Sequence, residues 1–142
     1  MKYIGSGSSG VVYAHKQFAI KIGDIEYKEI QRQRYFAHKG LALPVIYYRK
    51  NGKIPVYIAR DICYTHGRRN DFHNTYACNC SSNRADILIT PLIIPVTEET
   101  EETLAFAEYL HNEAIQAFGY GRDRRVVNLG IYNGKLVGLD WG

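Results

Sequence analysis

The sequence predicts an α+β fold: a five-stranded antiparallel sheet with one helix, followed by a long helix and a short hairpin. Three observations lead to this prediction. Short alternating apolar segments fill residues 1–22, Asn-Gly pairs at 51–52 and 133–134 stand between apolar runs, and an amphipathic pattern runs from residue 97 to 118. Alternation with a period of two is typical of strands, and a period near 3.6 is typical of a helix.

Three strands joined by two turns are predicted at the start of the chain. The strands are Lys2 to Ile4, Val11 to Tyr13 and Phe18 to Lys21. The first turn is Gly5-Ser6-Gly7-Ser8-Ser9-Gly10, whose glycines let backbone N–H groups approach phosphate oxygens because no Cβ intervenes. The G-x-G-x-x-G pattern also marks dinucleotide-binding loops, but there a helix follows directly. A strand follows here, which favours a glycine turn within a hairpin.

A helix is predicted after the third strand. Asp24 is its candidate N-cap, the helix runs to about His38, and Gly40 is the stop signal. Two glutamates in it, Glu26 and Glu29, are candidates for an inward-pointing carboxylate. Glu29 shares a helical face with apolar residues four positions before it and seven after it, and is preferred for that reason. A solvated surface glutamate is the alternative at either position.

An Asn-Gly hairpin is predicted between the apolar segments 43–48 and 54–58. They flank Lys50-Asn51-Gly52-Lys53, and both central residues tolerate positive φ. This hairpin completes the predicted sheet.

The segment 63–86 is polar and contains all three cysteines and two of the five histidines. Cys-x-x-His and Cys-x-Cys spacings are compatible with a Zn²⁺ site, although they match no structural zinc pattern well. Reduced thiols and surface histidines in a loop are the alternative. The candidate ligands are Cys63, His66, His73, Cys78 and Cys80.

A proline-broken apolar segment at 85–96 predicts a short strand and a turn before the long helix. Thr97 is the candidate N-cap, Val96 is a candidate hydrophobic staple, and glutamates crowd the first turn at the positive end of the helix dipole. Gly119 ends the helix. The predicted buried stripe is Leu104, Ala107, Leu110, Ala114, Ile115 and Phe118.

Composition and charge limit the partners. The formal charge of +4 suits an anionic ligand, and no basic tract interleaved with aromatic residues predicts a nucleic-acid groove. The longest apolar run, residues 87–96, is broken by two prolines and falls short of the roughly 20 residues of a membrane span. Three cysteines and no signal peptide predict a cytoplasmic protein, or one of the host cytoplasm if it is viral.

The C-terminal region carries a second group of polar residues. Asp123 precedes Asn128 by five positions, and Asp140-Trp141-Gly142 follows. Between them, Asn133-Gly134 predicts a hairpin that carries Asn128 and Asp140 at its two free ends. Carboxylate and carboxamide oxygens placed side by side are suitable ligands for Mg²⁺.

The chain resembles the protein-kinase-like family in four features taken together: the glycine turn, Lys21 on the third strand, the Asp–Asn loop and the D-W-G motif. The resemblance implies ATP and Mg²⁺ as cofactors and in-line phosphoryl transfer as the chemistry. The catalytic residues that it implies are Asp123, Lys21 and Arg125. The metal ligands that it implies are Asn128 and Asp140. The nucleotide contacts that it implies are Gly5, Ser6, Gly7, Ser8, Ser9, Gly10, Val12, Ala19, Lys21, Glu29, Arg60 and Ile62.

Each role follows from the family's site. Lys21, held by Glu29, offsets charge on the α- and β-phosphates, and Asp123 accepts the proton of the acceptor hydroxyl. Arg125 stands where many serine/threonine kinases have a lysine at the γ-phosphate. Two neighbours of Asp123, Arg122 and Arg124, are expected to keep it ionised.

The resemblance spans residues 1–142 as one minimal kinase-like domain. Its N-terminal lobe is expected at 1–62, a polar hinge insert at 63–86 and a truncated C-terminal lobe at 87–142. The sequence departs from the family in lacking an activation segment and the later helices, and Gly121 stands where a histidine is usual. Such compaction is typical of a phage or other small-genome protein.

Three functions remain open from the sequence. The first is an active kinase acting on a hydroxyl acceptor, with protein Ser/Thr favoured. The second is a nucleotide-binding pseudokinase that inhibits or binds another protein, and the third is a small-molecule phosphotransferase. An apolar underside of the truncated lobe is expected to find a partner, either a second copy of the chain or another protein.

Overall fold

The computed structural model of the chain describes residues 1–7, 10–59 and 83–142. Within these ranges the protein is α+β and divides into two compact units, one of Met1–Ile25 with Ile46–Thr90 and one of Glu26–Val45 with Pro91–Gly142. The helices that lie entirely within the described residues are α1 (Tyr27–His38), α2 (Glu101–Phe118) and a 3₁₀ helix at Val126–Asn128. The strands are β1 (Lys2–Gly7), β2 (Gly10–His15), β3 (Phe18–Gly23), β4 (Tyr47–Lys53), β5 (Arg84–Pro91), β6 (Leu129–Tyr132) and β7 (Lys135–Gly138).

The first unit contains a five-stranded antiparallel sheet with the strand order β1-β2-β3-β5-β4. β1, β2 and β3 form the predicted meander, with each strand longer than expected. Side chains alternate, so one sheet face packs into a core while the other stays partly exposed. The buried residues of that core are Val11, Tyr13, Ile22, Ile54, Ile58, Ala59 and Ala85.

The predicted hairpin at Asn51-Gly52 is wrong. β4 continues through these residues and pairs with β5, and the register shifts between Arg49 and Gly52. Asn51 has φ 52°, which is as suitable for a bulge as for a tight turn. The segment after it does not form a strand: residues 56–59 are helical, and the Pro55 carbonyl accepts hydrogen bonds from the amides of Ile58 and Ala59. Proline lacks the N–H donor of a strand and suits the first turn of a helix.

β5 occupies the start of the segment for which a short strand was predicted. It begins at Arg84 and lies between β3 and β4, so it is an interior strand of the sheet. The local signals predicted residues 54–58 as the hairpin partner of the strand at 43–48. The strand that pairs with β4 is instead β5, some thirty residues further along the chain.

A buried carboxylate, Asp86 of β5, joins three segments of the first unit. It is 5% exposed and accepts hydrogen bonds from the backbone amides of Ile25 and Asn51 and from Lys50 Nζ, each at 2.8 Å. The hydrogen bond to Asp86 raises the pKa of Lys50. Ile25 is thereby held to the sheet. The prediction of Asp24 as the N-cap of α1 is wrong, because the helix begins at Tyr27 with Glu26 as its N-cap.

The second unit is built around the two helices. α1 ends as predicted near Gly40, which has φ 75°. Phe36 of α1 is fully buried in a core that takes residues from both helices and from the C-terminal hairpin. The buried members of this core are Phe36, Ala42, Ala107, Leu110, Ala114, Leu129 and Trp141.

α2 starts three residues later than predicted. Thr100, rather than Thr97, is the N-cap, because Thr100 and Thr103 form a reciprocal capping box: the Thr103 amide donates to Thr100 Oγ1 at 3.1 Å and the Thr100 amide donates to Thr103 Oγ1 at 2.8 Å. Gly119 ends the helix with φ 82°, as predicted.

The buried stripe of α2 is also rotated from the predicted one. Thr103, Ala107, Leu110 and Ala114 are buried, and Phe118 packs at the edge of the core. The prediction for Leu104 and Ile115 is wrong, since these side chains are 47% and 43% exposed. None of the helices in the described ranges is long and apolar enough to cross a membrane.

The Asn133-Gly134 hairpin is confirmed. β6 and β7 pair antiparallel from Leu129↔Gly138 to Tyr132↔Lys135, and the two turn residues have φ of 51° and 76°. The hairpin is joined to the segment before α2, where the Val96 amide donates to the Leu129 carbonyl at 2.8 Å.

Candidate functional site

The glycine turn lies where β1 passes into β2. Gly7 ends β1 and pairs with Gly10, the first residue of β2. Ser8 and Ser9 lie outside the described residues. Gly10 has φ 153°, and a Cβ on it would lie 2.3 Å from the carbonyl oxygen of Ile22. The close approach of β3 therefore requires glycine at this position, whereas a Cβ on Gly5 would meet nothing within 4 Å.

Four of the predicted nucleotide contacts share one face of the sheet. Val12 pairs with Lys21 across β2 and β3 and with Gly5 across β1 and β2. Ala19 lies two residues before Lys21, so both side chains point to the same side of β3. Their neighbours Val11 and Ile22 point to the opposite side, into the core. Lys21 is partly exposed on this face.

The other predicted contacts of this group lie elsewhere. The Ser6 backbone pairs with Val11. Arg60 and Ile62 lie outside the described residues, as do the five candidate zinc ligands, Cys63, His66, His73, Cys78 and Cys80. In the part of the chain that the structure describes, no group of three or more His, Cys, Asp or Glu side chains is placed to hold a metal ion.

In the second unit, Asp123 is engaged by its neighbour Arg125. The Arg125 amide donates to Asp123 Oδ1 at 2.9 Å, and its Nε and Nη2 donate to Oδ2 at 2.8 and 2.5 Å. These hydrogen bonds, with a smaller contribution from the Asn128 side chain, lower the pKa of Asp123. Asp123 is therefore held ionised.

The prediction that Arg122 and Arg124 keep Asp123 ionised is largely wrong, because the main cationic partner is Arg125. Arg124 instead forms an exposed ion pair with Glu108 of α2 at 3.1 Å. The Arg122 guanidinium is buried and donates to backbone carbonyls, so its interaction with Asp123 is only through space.

The two predicted metal ligands lie at the two ends of the hairpin, next to the backbone hydrogen bond that closes it. The Asn128 carbonyl accepts a hydrogen bond from the Leu139 amide at 2.7 Å, directly before Asp140. Asp140 is exposed and has φ 53°, an uncommon conformation for a residue with a side chain. The Asn128 side chain also contributes to the lowered pKa of Asp123. The structure thus brings Asp123, Asn128 and Asp140 into one region with oxygen donors, which suit a hard cation such as Mg²⁺.

Glu29 lies beside the same motif. It is 5% exposed, and a methyl group on the Cα of Gly142 would lie 3.2 Å from its carboxylate. Glu26, by contrast, has a 65% exposed side chain that pairs with Lys28 at 3.1 Å. The prediction that Glu29 rather than Glu26 points inward is confirmed. Its predicted pairing with Lys21 remains a prediction.

Arg122 is a residue whose role the sequence did not reveal. It is 5% exposed and donates from Nη2 to the carbonyls of Asn128 at 3.0 Å and Leu139 at 2.5 Å. Its guanidinium lies 4.4 Å from the centre of the Trp141 ring, and burial lowers its pKa to about 10. Arg122 therefore joins the Asp123 loop to both ends of the hairpin. The sequence indicated it only as a neighbour of Asp123.

Trp141 fixes the motif that carries Asp140. Its ring stacks on Phe36 at 4.5 Å, and its Nε1 donates to the Gly138 carbonyl at 3.1 Å. A Cβ on Gly138 would lie within 3 Å of both Arg122 Nη1 and the Trp141 ring. Asp140 is therefore an exposed side chain on a backbone whose two neighbours are packed.

Arg32 of α1 reaches the other end of the Asp123 loop. It is 1% exposed, donates to the Gly121 carbonyl at 3.0 Å, and lies 4.2 Å from the centre of the Tyr120 ring. The spacing of Arg32 in the sequence could have indicated that it is buried. It follows Glu29 by three positions and precedes Phe36 by four, so it lies on the buried face of α1. An arginine on such a face needs acceptors from another segment.

Comparisons of the chain with family models, with curated proteins and with solved structures find no match. The chemistry of each unit is therefore judged from its own side chains. They offer a lysine on a glycine-bordered sheet face in the first unit. In the second unit they offer an ionised aspartate with an asparagine and a second aspartate.

Proposed function

We propose that the chain is a protein-kinase-like phosphotransferase that transfers the γ-phosphate of ATP to a hydroxyl acceptor, with Ser/Thr of a protein as the favoured class. The observation that carries the proposal is the grouping of Asp123, Asn128 and Asp140 around the base of one hairpin. The order β1-β2-β3-β5-β4, with Lys21 on β3 after a glycine turn, supports a kinase-like fold for the sheet.

In the proposed reaction, the acceptor oxygen attacks the γ-phosphorus in line with the bond to the β-phosphate. The new O–P bond forms as that bond breaks, the electron pair leaves on the oxygen of ADP, and the hydroxyl proton passes to the Asp123 carboxylate. Mg²⁺ at Asn128 and Asp140 would neutralise charge on the phosphate oxygens. Lys21 and the backbone of the glycine turn would contact the phosphates of the nucleotide.

Residues of the second unit are suited to these roles. Asp123 keeps a side chain that is 35% exposed although its backbone neighbours are held, so it stays accessible to a substrate. Asp140 is exposed beside the buried Trp141. Preorganised charges on a held backbone are the main source of catalysis in phosphoryl transfer, where the protein supplies positioning and electrostatics.

A second candidate is a nucleotide-binding protein that does not transfer phosphate. The contact between Arg125 and both oxygens of Asp123 favours it, because hydrogen bonds that lower the pKa of a carboxylate also make it a weaker base. In this case the chain would act by contact with a protein partner.

The test compares transfer and binding in the same variants. Labelled γ-phosphate transfer from Mg²⁺–ATP to a mixture of protein acceptors is measured for the wild type, Asp123→Asn and Lys21→Met. Lys53→Met, an exposed lysine of the same sheet, is the matched control. Nucleotide binding is followed by calorimetry.

We expect Asp123→Asn to reduce transfer by at least 100-fold, and to leave nucleotide affinity within about threefold, because Asp123 acts in the transition state. Lys21→Met should weaken binding, and Lys53→Met should change neither. Binding without transfer in the wild type would select the second candidate. Absence of nucleotide binding in the wild type would refute both.

A further inference from the structure

We propose that His111 of α2 is a positioning residue for Asp123, and that residue 121 is glycine because the His111 ring occupies the space of a side chain there. The inference rests on the proposed function for its catalytic consequence, but its structural part stands on contacts in the second unit alone.

The His111 ring lies directly against the start of the Asp123 loop. Its Nδ1 is 3.2 Å from the amide nitrogen of Arg122 and 3.0 Å from the carbonyl oxygen of the same residue. One ring nitrogen thus reaches both polar groups of the backbone residue that precedes Asp123. Depending on the tautomer, Nδ1 either accepts from the N–H or donates to the C=O.

Gly121 is matched to this ring. A Cβ added to Gly121 would lie 2.0 Å from His111 Cε1 and 2.3 Å from Nδ1. These distances are far inside van der Waals contact, so any side chain at 121 would push the ring away and break its bonds to Arg122. Gly121 does not require a positive φ, so the ring is the reason that the structure gives for glycine at this position.

The neighbouring contacts show that α2 is the surface on which the loop rests. Glu108 and His111 lie three residues apart on one helical face, and Glu108 pairs with Arg124, the residue after Asp123. Asp123 itself accepts hydrogen bonds from Arg125, two residues further along the chain. Contacts of its two neighbours with α2 therefore control where the Asp123 carboxylate lies relative to the helix.

The relative exposure of the two contacts makes His111 the more important one. The Glu108–Arg124 pair is more than half exposed on both sides, and such pairs contribute little. His111 is partly buried and contacts the backbone, so the position of the loop is set by the fold at residue 122. A displacement of about 1 Å of a reacting group can reduce a rate by about 100-fold.

The experiment is a double-mutant cycle in the full chain with His111→Ala, Gly121→Ala and the double variant. His111→Asn serves as the conservative variant, because an Asn side-chain amide places an oxygen or nitrogen near the position of Nδ1. His38→Ala, an exposed histidine of α1, is the matched control. Each protein is assayed for kcat and for the KM of ATP, and for hydrogen exchange at the Arg122 amide by NMR.

We expect His111→Ala and Gly121→Ala each to lower kcat by about 10- to 100-fold while the KM of ATP changes less than threefold. Gly121→Ala should have little further effect in the His111→Ala background, because the clash is gone. His111→Asn should retain most of kcat and the protection of the Arg122 amide, which His111→Ala loses. His38→Ala should match the wild type.

Equal effects of Gly121→Ala in both backgrounds would overturn the proposal, as would unchanged exchange at the Arg122 amide in His111→Ala. If the wild type transfers no phosphate, the proposed enzyme is refuted, and the hydrogen-exchange arm still decides whether His111 positions the loop. A fall in thermal stability of His111→Asn equal to that of His111→Ala would also contradict the positioning role.

Discussion

Replacing Asp86 by alanine tests the role of the buried carboxylate in the sheet unit. The wild-type side chain accepts three hydrogen bonds at 2.8 Å, two from backbone amides and one from Lys50. Alanine removes both acceptor oxygens and with them all three hydrogen bonds. Ile25, whose amide is one of the donors, is fully buried, so water does not replace the lost partner there.

The magnitude follows from the exposure of each donor. A hydrogen bond to a charged group contributes about 1.5–3 kcal/mol, and a buried donor left unsatisfied costs about 1–3 kcal/mol. The Lys50 side chain is 58% exposed, so its ion pair with Asp86 contributes little after solvent screening. Asn51 is exposed as well and can bond to water. We therefore expect Asp86→Ala to lower the free energy of unfolding by about 3 kcal/mol, mainly through Ile25.

Urea unfolding followed by far-UV circular dichroism measures the effect. The matched control is Asp24→Ala, because Asp24 also lies near Lys50, at 3.9 Å, but is 61% exposed. It should change the free energy of unfolding by less than about 0.5 kcal/mol. Asp86→Asn should fall between the two variants, since the amide keeps one acceptor oxygen. A loss below about 1 kcal/mol in Asp86→Ala, or one equal to that of Asp24→Ala, would refute the assigned role.

Three further variants test other contacts. Arg125→Ala should raise the pKa of Asp123 toward its ordinary value in an NMR carboxyl titration, and an unchanged titration would contradict the assignment. Because the pKa of Asp123 is lowered in the wild type, the stability that this pair adds is present at neutral pH and is lost as the pH falls through that pKa. Gly10→Ala should lower the free energy of unfolding by about 3 kcal/mol, whereas Gly5→Ala should change it by less than about 1 kcal/mol. Equal losses of unfolding free energy in urea would be inconsistent with the close approach of β3. Thr100→Ala should lower the free energy of unfolding by about 1 kcal/mol, because it removes the N-cap of α2. The helical signal in far-UV circular dichroism should be smaller than that of the wild type at higher temperature.

The parts of the fold that the sequence predicted are those with local causes. The β1–β2–β3 meander depends on alternation and turns within 22 residues, and the hairpin at 133–134 depends on two adjacent residues. The same Asn-Gly signal failed at 51–52, because positive φ suits a bulge as well as a turn. The strand that pairs there starts at Arg84, too far along the chain for a local pattern to indicate.

The candidate site divides in the same way. The sequence alone suggested Asp123, Asn128 and Asp140 because their spacing resembles a known motif. The side chains that hold them in place were not apparent, since Arg32 bonds to a carbonyl 89 positions away and His111 to a residue 11 positions away. The partners in such contacts depend on how the helices pack against other segments, and helical periodicity does not indicate those partners.

The packing of Trp141 has a practical consequence for optical work on this protein. It is the single tryptophan of the chain, it is 1% exposed, and it lies between the Phe36 ring and the Arg122 guanidinium. Its fluorescence therefore comes from one buried environment next to Asp140, and emission from a buried indole lies to the blue of that from an exposed one. Rearrangement of the Asp140 backbone would change the emission, so the chain carries an intrinsic, label-free reporter of events at this residue.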